Sequence, residues 1–568
     1  MNISDYIIDF FIQKGIKDFF GYQGTMVVFL VDAIYRNPLA HNHSCYNEQG
    51  AAFAACGYAQ STGNCSIAYA TSGPGAINLL NGVADAWADS LPVIFLTGQI
   101  NLSENLNIQG IRQQGFQEID VVSMAKPITK YSTQIISRDE IRYELEKSWH
   151  IANEGRKGPV LLDIPMDIQR SIIDDWTMLK SFSAPIVLDK QSIEYSELYN
   201  YLEKSMRPLL LVGNGVNRSC YNKLRCFIET NQIPVITTLL AKEFMPSNHN
   251  LNFGIVGGAY GHRSANMMVY KCDLLIILGA SMCTRQTGTR RQDFAPNALI
   301  LRYDIDSQQL KIHLNAKEKN HVVDVNKLID GLVKYKVTND TIEWLNFGTK
   351  IKHEYQTFDD MCSERTPNNI IKSISEKLPD DISVVSDVGQ HMMWVGQSFS
   401  LKPNQRVLFS GGLGAMGYSI PAAIGAYYAT KKPVVAICGD GSFQMNIQEL
   451  QWIVREELPI LIIVLNNRCL GMIRCNQHDF IDKRYEGSCE GYNYSPCNII
   501  EIAKAYGIKT YSNKIDSVHS LLSTLKPVLI EVELNRDTVA APKTYFGEPM
   551  WNQQPYIDKS LYDEITAF

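Results

Sequence analysis

The run GDGSFQMNIQELQWIVREELPILIIVLNN sets Asp440 at the end of one strand-like apolar stretch and Asn467 at the end of the next, 27 positions later. Neighbouring parallel strands bring both side chains to one carboxyl edge, where open α/β sheets bind ligands. A carboxylate and an amide oxygen there suit a hard cation such as magnesium, which completes its octahedron with water and phosphate oxygens. Gly439 and Gly441 let the backbone approach a phosphate closely, and a helix starting near Ser442 turns free N–H groups toward it. A second candidate is Asn47-Glu48-Gln49-Gly50, a carboxylate leading into the small, apolar stretch AAFAACGYAQSTG. Desolvated at such a helix start, Glu48 is suited to holding or moving a proton.

These groups need sheets to hold them. Three segments each repeat a short apolar strand, a Gly-rich turn and a longer helical pattern, the rhythm of a parallel α/β sheet. The expected architecture is three consecutive doubly wound parallel-sheet domains, over 1–170, 190–340 and 365–540. The proline-bearing tail, 541–568, has little periodicity and is read as an extended lid or arm. In the middle segment Gly213-Asn214-Gly215 follows the LLLV strand like a dinucleotide-type turn, a weak signal by itself.

Length and composition agree. At 568 residues and 64.0 kDa the chain exceeds what one core holds. With 45% hydrophobic and 20% charged residues it is neither disordered nor fibrous. The balance of 53 Lys+Arg against 59 Asp+Glu, without long like-charge runs, argues against nucleic acid as a partner. No apolar run approaches the ~20 residues of a membrane span. The N-terminus places Asp5 and Asp9 inside the one stretch that could mimic a signal peptide, so a cytoplasmic location is expected. The 13 cysteines show no CxxC pair and read as reduced, structural thiols.

The GDG…NN pair together with NEQGAA resembles the thiamine diphosphate enzymes, and most closely the acetohydroxyacid (acetolactate) synthases, over nearly the whole chain. The resemblance implies a pyrimidine-binding, a central FAD-binding-like and a diphosphate-binding domain, in that order. It makes Asp440, Asn467 and the backbone carbonyl of Cys469 the magnesium ligands. Glu48 would hydrogen-bond the aminopyrimidine and so prime removal of the thiazolium proton. Met416, in GGLGAMG, would be the bulky residue that bends the cofactor into a V. Tyr22, Gly24, Pro74, Asn78, Gly414, Ser442, Leu470, Gly471 and Met472 would complete the cofactor site. Phe116 and Gln117 would face the reacting carbon, and Arg285 would grip the acceptor carboxylate. FAD, held without redox use, would lie against Arg156, Gly213, Gly215, Thr237, Leu239, Asp304, Ile305, Asp324 and Val325. The resemblance also implies a homodimer or homotetramer whose active sites lie between subunits.

Several positions depart from the synthase pattern. Met166 stands where the synthases have Lys, Asn476 where they have Trp, Asn47 where they have His, and GYQGT replaces GYPGG. Ser281 and Cys283 replace the Arg and Asp of GxRFDDR. The acceptor pocket has lost one cation and one large ring. The expectation is therefore a carboligase that takes a two-carbon unit from pyruvate and passes it to a larger ketone, a 4-keto-deoxysugar nucleotide. The alternative is an acetolactate synthase catalytic subunit. A simple 2-keto acid decarboxylase would carry a His pair that is absent here, and a pyruvate oxidase would need flavin placed for electron transfer.

Overall fold

The computed structural model describes residues 1–104, 110–185, 195–354, 366–560 and 563. It contains three six-stranded parallel sheets. The first has β1 (Asp18–Gly21), β2 (His41–Ser44), β3 (Ser66–Ala70), β4 (Val93–Gln99), β5 (Tyr131–Gln134) and β6 (Val160–Pro165), in the order β2-β1-β3-β4-β6-β5. The second has β7 (Pro208–Val212), β8 (Val235–Thr237), β9 (Asn252–Ile255), β10 (Leu274–Leu278), β11 (Leu299–Asp304) and β12 (Glu318–Val322), in the order β12-β11-β10-β7-β8-β9. The third has β13 (Ser383–Ser386), β14 (Arg406–Phe409), β15 (Val434–Gly439), β16 (Ile460–Asn466), β17 (Lys509–Ser512) and β18 (Val528–Glu533), in the order β14-β13-β15-β16-β18-β17. The outer two sheets share one strand order; the central one has the order of dinucleotide-binding folds. Apolar runs such as PLLLV, LLIIL and ILIIVLN are buried throughout, as strands covered by helices on both faces must be.

Three α/β domains are thus borne out. The boundary expected at 190 and most of the chain after 560 lie outside the described residues. Among the described residues, no helix is long and apolar enough to cross a membrane.

The first and third domains meet through two helices rich in small residues, Glu48–Thr62 and Ser419–Thr430. Their backbones touch: a Cβ on Gly57 would overlap the Ala422 carbonyl, and one on Gly425 would overlap the Ala54 carbonyl. Numbers rise along one helix as they fall along the other, so the pair is antiparallel. Ser419 then stands level with about Gln60, roughly 18 Å along the axis from Glu48. The described part of the tail lies against the central domain. Thr544 donates to the Gly258 carbonyl at 2.8 Å, Gln553 to that of Gly261 at 2.8 Å, and Met550 is buried in the central core.

Candidate active site

β15 and β16 pair in parallel with Gly439 opposite Leu465, so Asp440 and Asn467 emerge together at one carboxyl edge, as their spacing implied. The helix begins at Asp440, two residues before the expected Ser442. Asp440 is buried and accepts from the Tyr494 hydroxyl at 2.9 Å. Burial pushes its carboxyl up to about 6, against the pull of Tyr494. Asn467 donates to Gln390 Oε1 at 3.3 Å and accepts from the Cys469 N–H at 3.3 Å, which closes a turn over 467–469. The Cys469 thiol is buried and pushed up to about 12, so its side chain is inert while its carbonyl is available.

A Cβ on Gly441 would lie 2.6 Å from Leu470 and 3.4 Å from Met416. The motif glycine, the start of the helix Gly471–Phe480 and the expected wedge residue therefore surround one space. Met416 sits on the loop between β14 and the helix Ser419–Thr430, whose turn uses Gly414 at φ +74°. Ser442 donates to the Val388 carbonyl at 3.1 Å. Two neighbours were missed by sequence reasoning. His391 faces Gly439, a Cβ there lying 3.1 Å from its Nδ1; its Nε2 is buried without a partner among the described residues, and burial lowers the ring to about 3. Gln390 Oε1 abuts Gly471. An orphaned imidazole nitrogen and a buried carboxylate beside a glycine cradle are the groups a magnesium-bound diphosphate would satisfy. The residues fit thiamine diphosphate.

Glu48 opens its helix behind the Asn47 cap, whose Oδ1 accepts from Gln49 N–H at 2.9 Å. Its carboxylate is buried and accepts from Asn78 Nδ2 at 3.0 Å, four residues into the helix that Pro74 begins. A Cβ on Gly24 would meet Thr71 at 2.5 Å, which brings the Tyr22–Gly24 loop against the same helix start; Tyr22 is exposed. Gln117 lies against Gly73 with φ +63°, and Phe116 is 80% exposed in the single chain. Glu48 and Met416 therefore lie at opposite ends of the antiparallel helix pair.

Arg285, Met472 and Asn476 line one cavity of about 450 Å³, with Gln390 at its floor. Met166 is not among its lining residues. The Arg285 guanidinium lies 6.0 Å from the Tyr260 ring centre and has no carboxylate partner among the described residues. The tail adds Lys543, Thr544, Tyr545 and Phe546. Lys543 faces Asp479 at 3.5 Å. No local pattern in the sequence marked this contribution.

The residues expected to hold FAD gather at the carboxyl edge of the central sheet. Thr237 and Asp304 end β8 and β11, Leu239 and Ile305 follow them, and Asp324 caps the helix that Val325 starts. The glycines have another task than the dinucleotide-type turn suggested. Cβ atoms on Gly213 and Gly215 would strike the Gly279 backbone, so both are needed for close packing. Arg156 pairs with Asp306 at 3.0 Å and donates to Ser90 at 2.8 Å.

A metal edge, a cofactor cradle and a buried glutamate on two sheets of one topology are the parts of a thiamine diphosphate enzyme. The chain matches the thiamine pyrophosphate enzyme N-terminal TPP binding domain over residues 1–124, the central domain over 195–332 and the C-terminal TPP binding domain over 387–534. It is 33% identical over 546 residues to the acetolactate synthase isozyme 2 large subunit of Escherichia coli (strain K12), covering 94% of this chain and 96% of that protein. It is 34% identical over 606 residues to the probable acetolactate synthase large subunit of Methanocaldococcus jannaschii, covering 100% and 98%. Acetolactate synthase 1, chloroplastic, of Zea mays is 34% identical over 550 residues, covering 93% and 85%. The chain belongs to the acetolactate synthase family of thiamine diphosphate-dependent enzymes.

Proposed function

We propose that the protein is an acetolactate synthase catalytic subunit, which decarboxylates pyruvate and joins the two-carbon unit to a second 2-keto acid. The relatives' names favour this over the keto-deoxysugar acceptor read from the pocket substitutions, which none of them supports. The observation that carries the reading is the 450 Å³ cavity, lined by Arg285, which has no carboxylate partner among the described residues, and by Met472 at the start of the helix Gly471–Phe480. Thiamine diphosphate, when bound, supplies the carbon nucleophile and the electron sink for carbon dioxide loss. Asp440, Asn467 and the Cys469 carbonyl hold magnesium, and His391 donates to the diphosphate. Glu48 holds a proton at the pyrimidine, and Met416 props the cofactor's bend. Arg285 fixes the acceptor carboxylate through its guanidinium fork.

Two further parts are proposed with it. The antiparallel helix pair holds Glu48 and Met416 of one chain apart, so a complete site takes Glu48 from one copy and the diphosphate edge from another, in a homodimer or a tetramer built from it. FAD, without a redox part, occupies the central-sheet edge; a visible flavin absorbance band in the purified protein would support it, and apoprotein that gains none from added FAD would refute it. The keto-deoxysugar acceptor is kept as a second reading because Asn476 and Lys543 make the cavity wall polar where a ring would close it. Labelled pyruvate, thiamine diphosphate, magnesium and FAD, followed by NMR with and without added 2-keto acids and 4-keto nucleotide sugars, tests both. Rapid acetolactate from pyruvate alone is expected. Slow acetolactate with efficient transfer of label to a sugar ketone would overturn it.

A further inference from the structure

Lys242 lies in the turn after β8, within Leu239–Phe244, and reaches across to the third domain, where its ammonium donates to the Gly396 carbonyl at 2.9 Å. It is buried, and no carboxylate pairs with it among the described residues. Burial lowers its ammonium to about 7. It lines a cavity of about 170 Å³ at the seam between the central and third domains, which shares no lining residue with the cavity of Arg285.

Two more lysines line the same cavity. Lys352, on Ile342–Glu354, donates to the carbonyls of His249 at 3.2 Å and Asn252 at 2.8 Å; Lys372 stands on Pro367–Lys377. Ser247 and Ser400 add hydroxyls, and the described lining contains no Asp or Glu. His262 closes one wall as a neutral ring. Its Nδ1 accepts from Ile255 N–H at 3.0 Å and its Nε2 faces the Gln397 carbonyl at 2.9 Å, with the ring lowered to about 3 by burial first and Lys242 next.

A buried ammonium without a counter-ion is costly, and Lys242 and Lys352 are both lowered by burial. An anion in the cavity they line with Lys372 supplies that counter-ion. The space exceeds the ~10–15 Å³ that one water needs. Its donors come from three helices or turns, which suits a tetrahedral dianion better than a flat carboxylate. We propose that this cavity is a binding site for a phosphate-class anion, inorganic phosphate or a phosphate monoester, held by Lys242, Lys352 and Lys372. The ligand ties the central domain to the third and takes no part in the reaction.

The test uses full-length protein loaded with thiamine diphosphate, magnesium and FAD, so that the cofactor sites, including the one Thr237 borders, are filled. Inorganic phosphate is titrated by calorimetry and by thermal unfolding, with acetate and chloride at matched ionic strength. One phosphate site per chain is expected, weakened about tenfold in Lys372→Met, an exposed position that leaves folding intact, by loss of one charge-assisted contact. Lys242→Met should abolish it. Turnover at saturating cofactor should be unchanged in Lys372→Met. Absence of binding, equal stabilisation by acetate, or an undiminished phosphate affinity in Lys372→Met would each overturn the assignment, whether or not Lys242→Met folds.

Discussion

Replacing Glu449 should separate the machinery that presents Glu48 from the machinery that binds the diphosphate. Glu449 is fully buried, nine residues past Asp440, and lies against Gly50. Its Oε1 accepts from the N–H of Tyr46 at 3.2 Å and of Asn47 at 3.0 Å, and its Oε2 from Tyr46 at 3.1 Å. Glu449→Ala strands two part-buried N–H groups, at up to about 1–3 kcal/mol each, and opens a cavity beside them. Glu449→Gln keeps one oxygen where Oε1 serves both donors. Burial carries the Glu449 carboxyl from 4.5 to about 7, against the pull of those N–H groups, a preference for the protonated form of about 3 kcal/mol. A raised folded value means that this contribution is full below about pH 4.5 and is lost as pH climbs through about 7. The glutamine variant has no such loss. Thermal unfolding of both proteins between about pH 5 and pH 8 should therefore show the variant gaining on the wild type as pH rises. In activity, Glu449→Ala should lower kcat about tenfold or more through misplacement of Glu48, while affinity for thiamine diphosphate stays within about threefold. Parallel unfolding curves for Glu449→Gln, or a normal kcat for Glu449→Ala, would refute the argument.

Glu48→Gln should cut turnover by about a hundredfold or more with an unchanged unfolding midpoint; near-normal kcat would remove its proton role. Asp440→Ala should weaken magnesium-dependent cofactor binding about 10–100-fold, read by calorimetry, and an unchanged affinity would remove the metal edge. Asn476→Trp should fill part of the 450 Å³ cavity and lower KM for small 2-keto acids, roughly by the 10-fold or more that a well-packed ring brings; an unaltered acceptor profile would remove Asn476 from the pocket wall. Gly425→Ala forces a methyl into the Ala54 carbonyl and should cost about 1–3 kcal/mol of stability or more, seen as a lowered unfolding midpoint.

The metal edge was legible because its information is local. Two unbroken apolar runs mark β15 and β16, and GDG and NN mark their ends, so parallel pairing brings both ends to one edge, where Gly439 stands opposite Leu465. Glu48 was legible for a similar reason, as the first charge before a helix of small residues. Glu449 was not, because its partners Tyr46 and Asn47 are about four hundred positions away and nothing in its own segment differs from a solvated helix start. The tail's place against the pocket was equally hidden, since Lys543 to Phe546 carry no periodicity. Gly213-Asn214-Gly215 misled in part: a GxG after a strand reports a tight approach, and here what approaches is the Gly279 backbone.

Glu449 has a counterpart on the other side of the helix pair. Asp85 and Asp89, on Pro74–Asp89, hold the loop that carries Met416. The Ser410 hydroxyl donates to Asp85, and Asp89 accepts from Gly411 N–H at 2.9 Å and Gly412 N–H at 2.7 Å. Burial raises Asp85 well above its ordinary value, with the Asp89 charge adding to it, and raises Asp89 to about 6. The first domain's carboxylates thus fix the third domain's Met416 loop, while the third domain's carboxylate fixes the Glu48 loop. The arrangement matches the shared strand order of the two sheets, and it means that each loop is held in part by the domain that does not carry it, beside contacts of its own such as Gly417 and Ser419 N–H to Asp387 at 2.9 and 2.8 Å. Loosening the contact at Gly57 and Gly425 should therefore disturb Glu48 and Met416 together, even though they stand at opposite ends of the helix pair. If each complete site draws one element from each copy, a single such lesion reaches every site in the dimer.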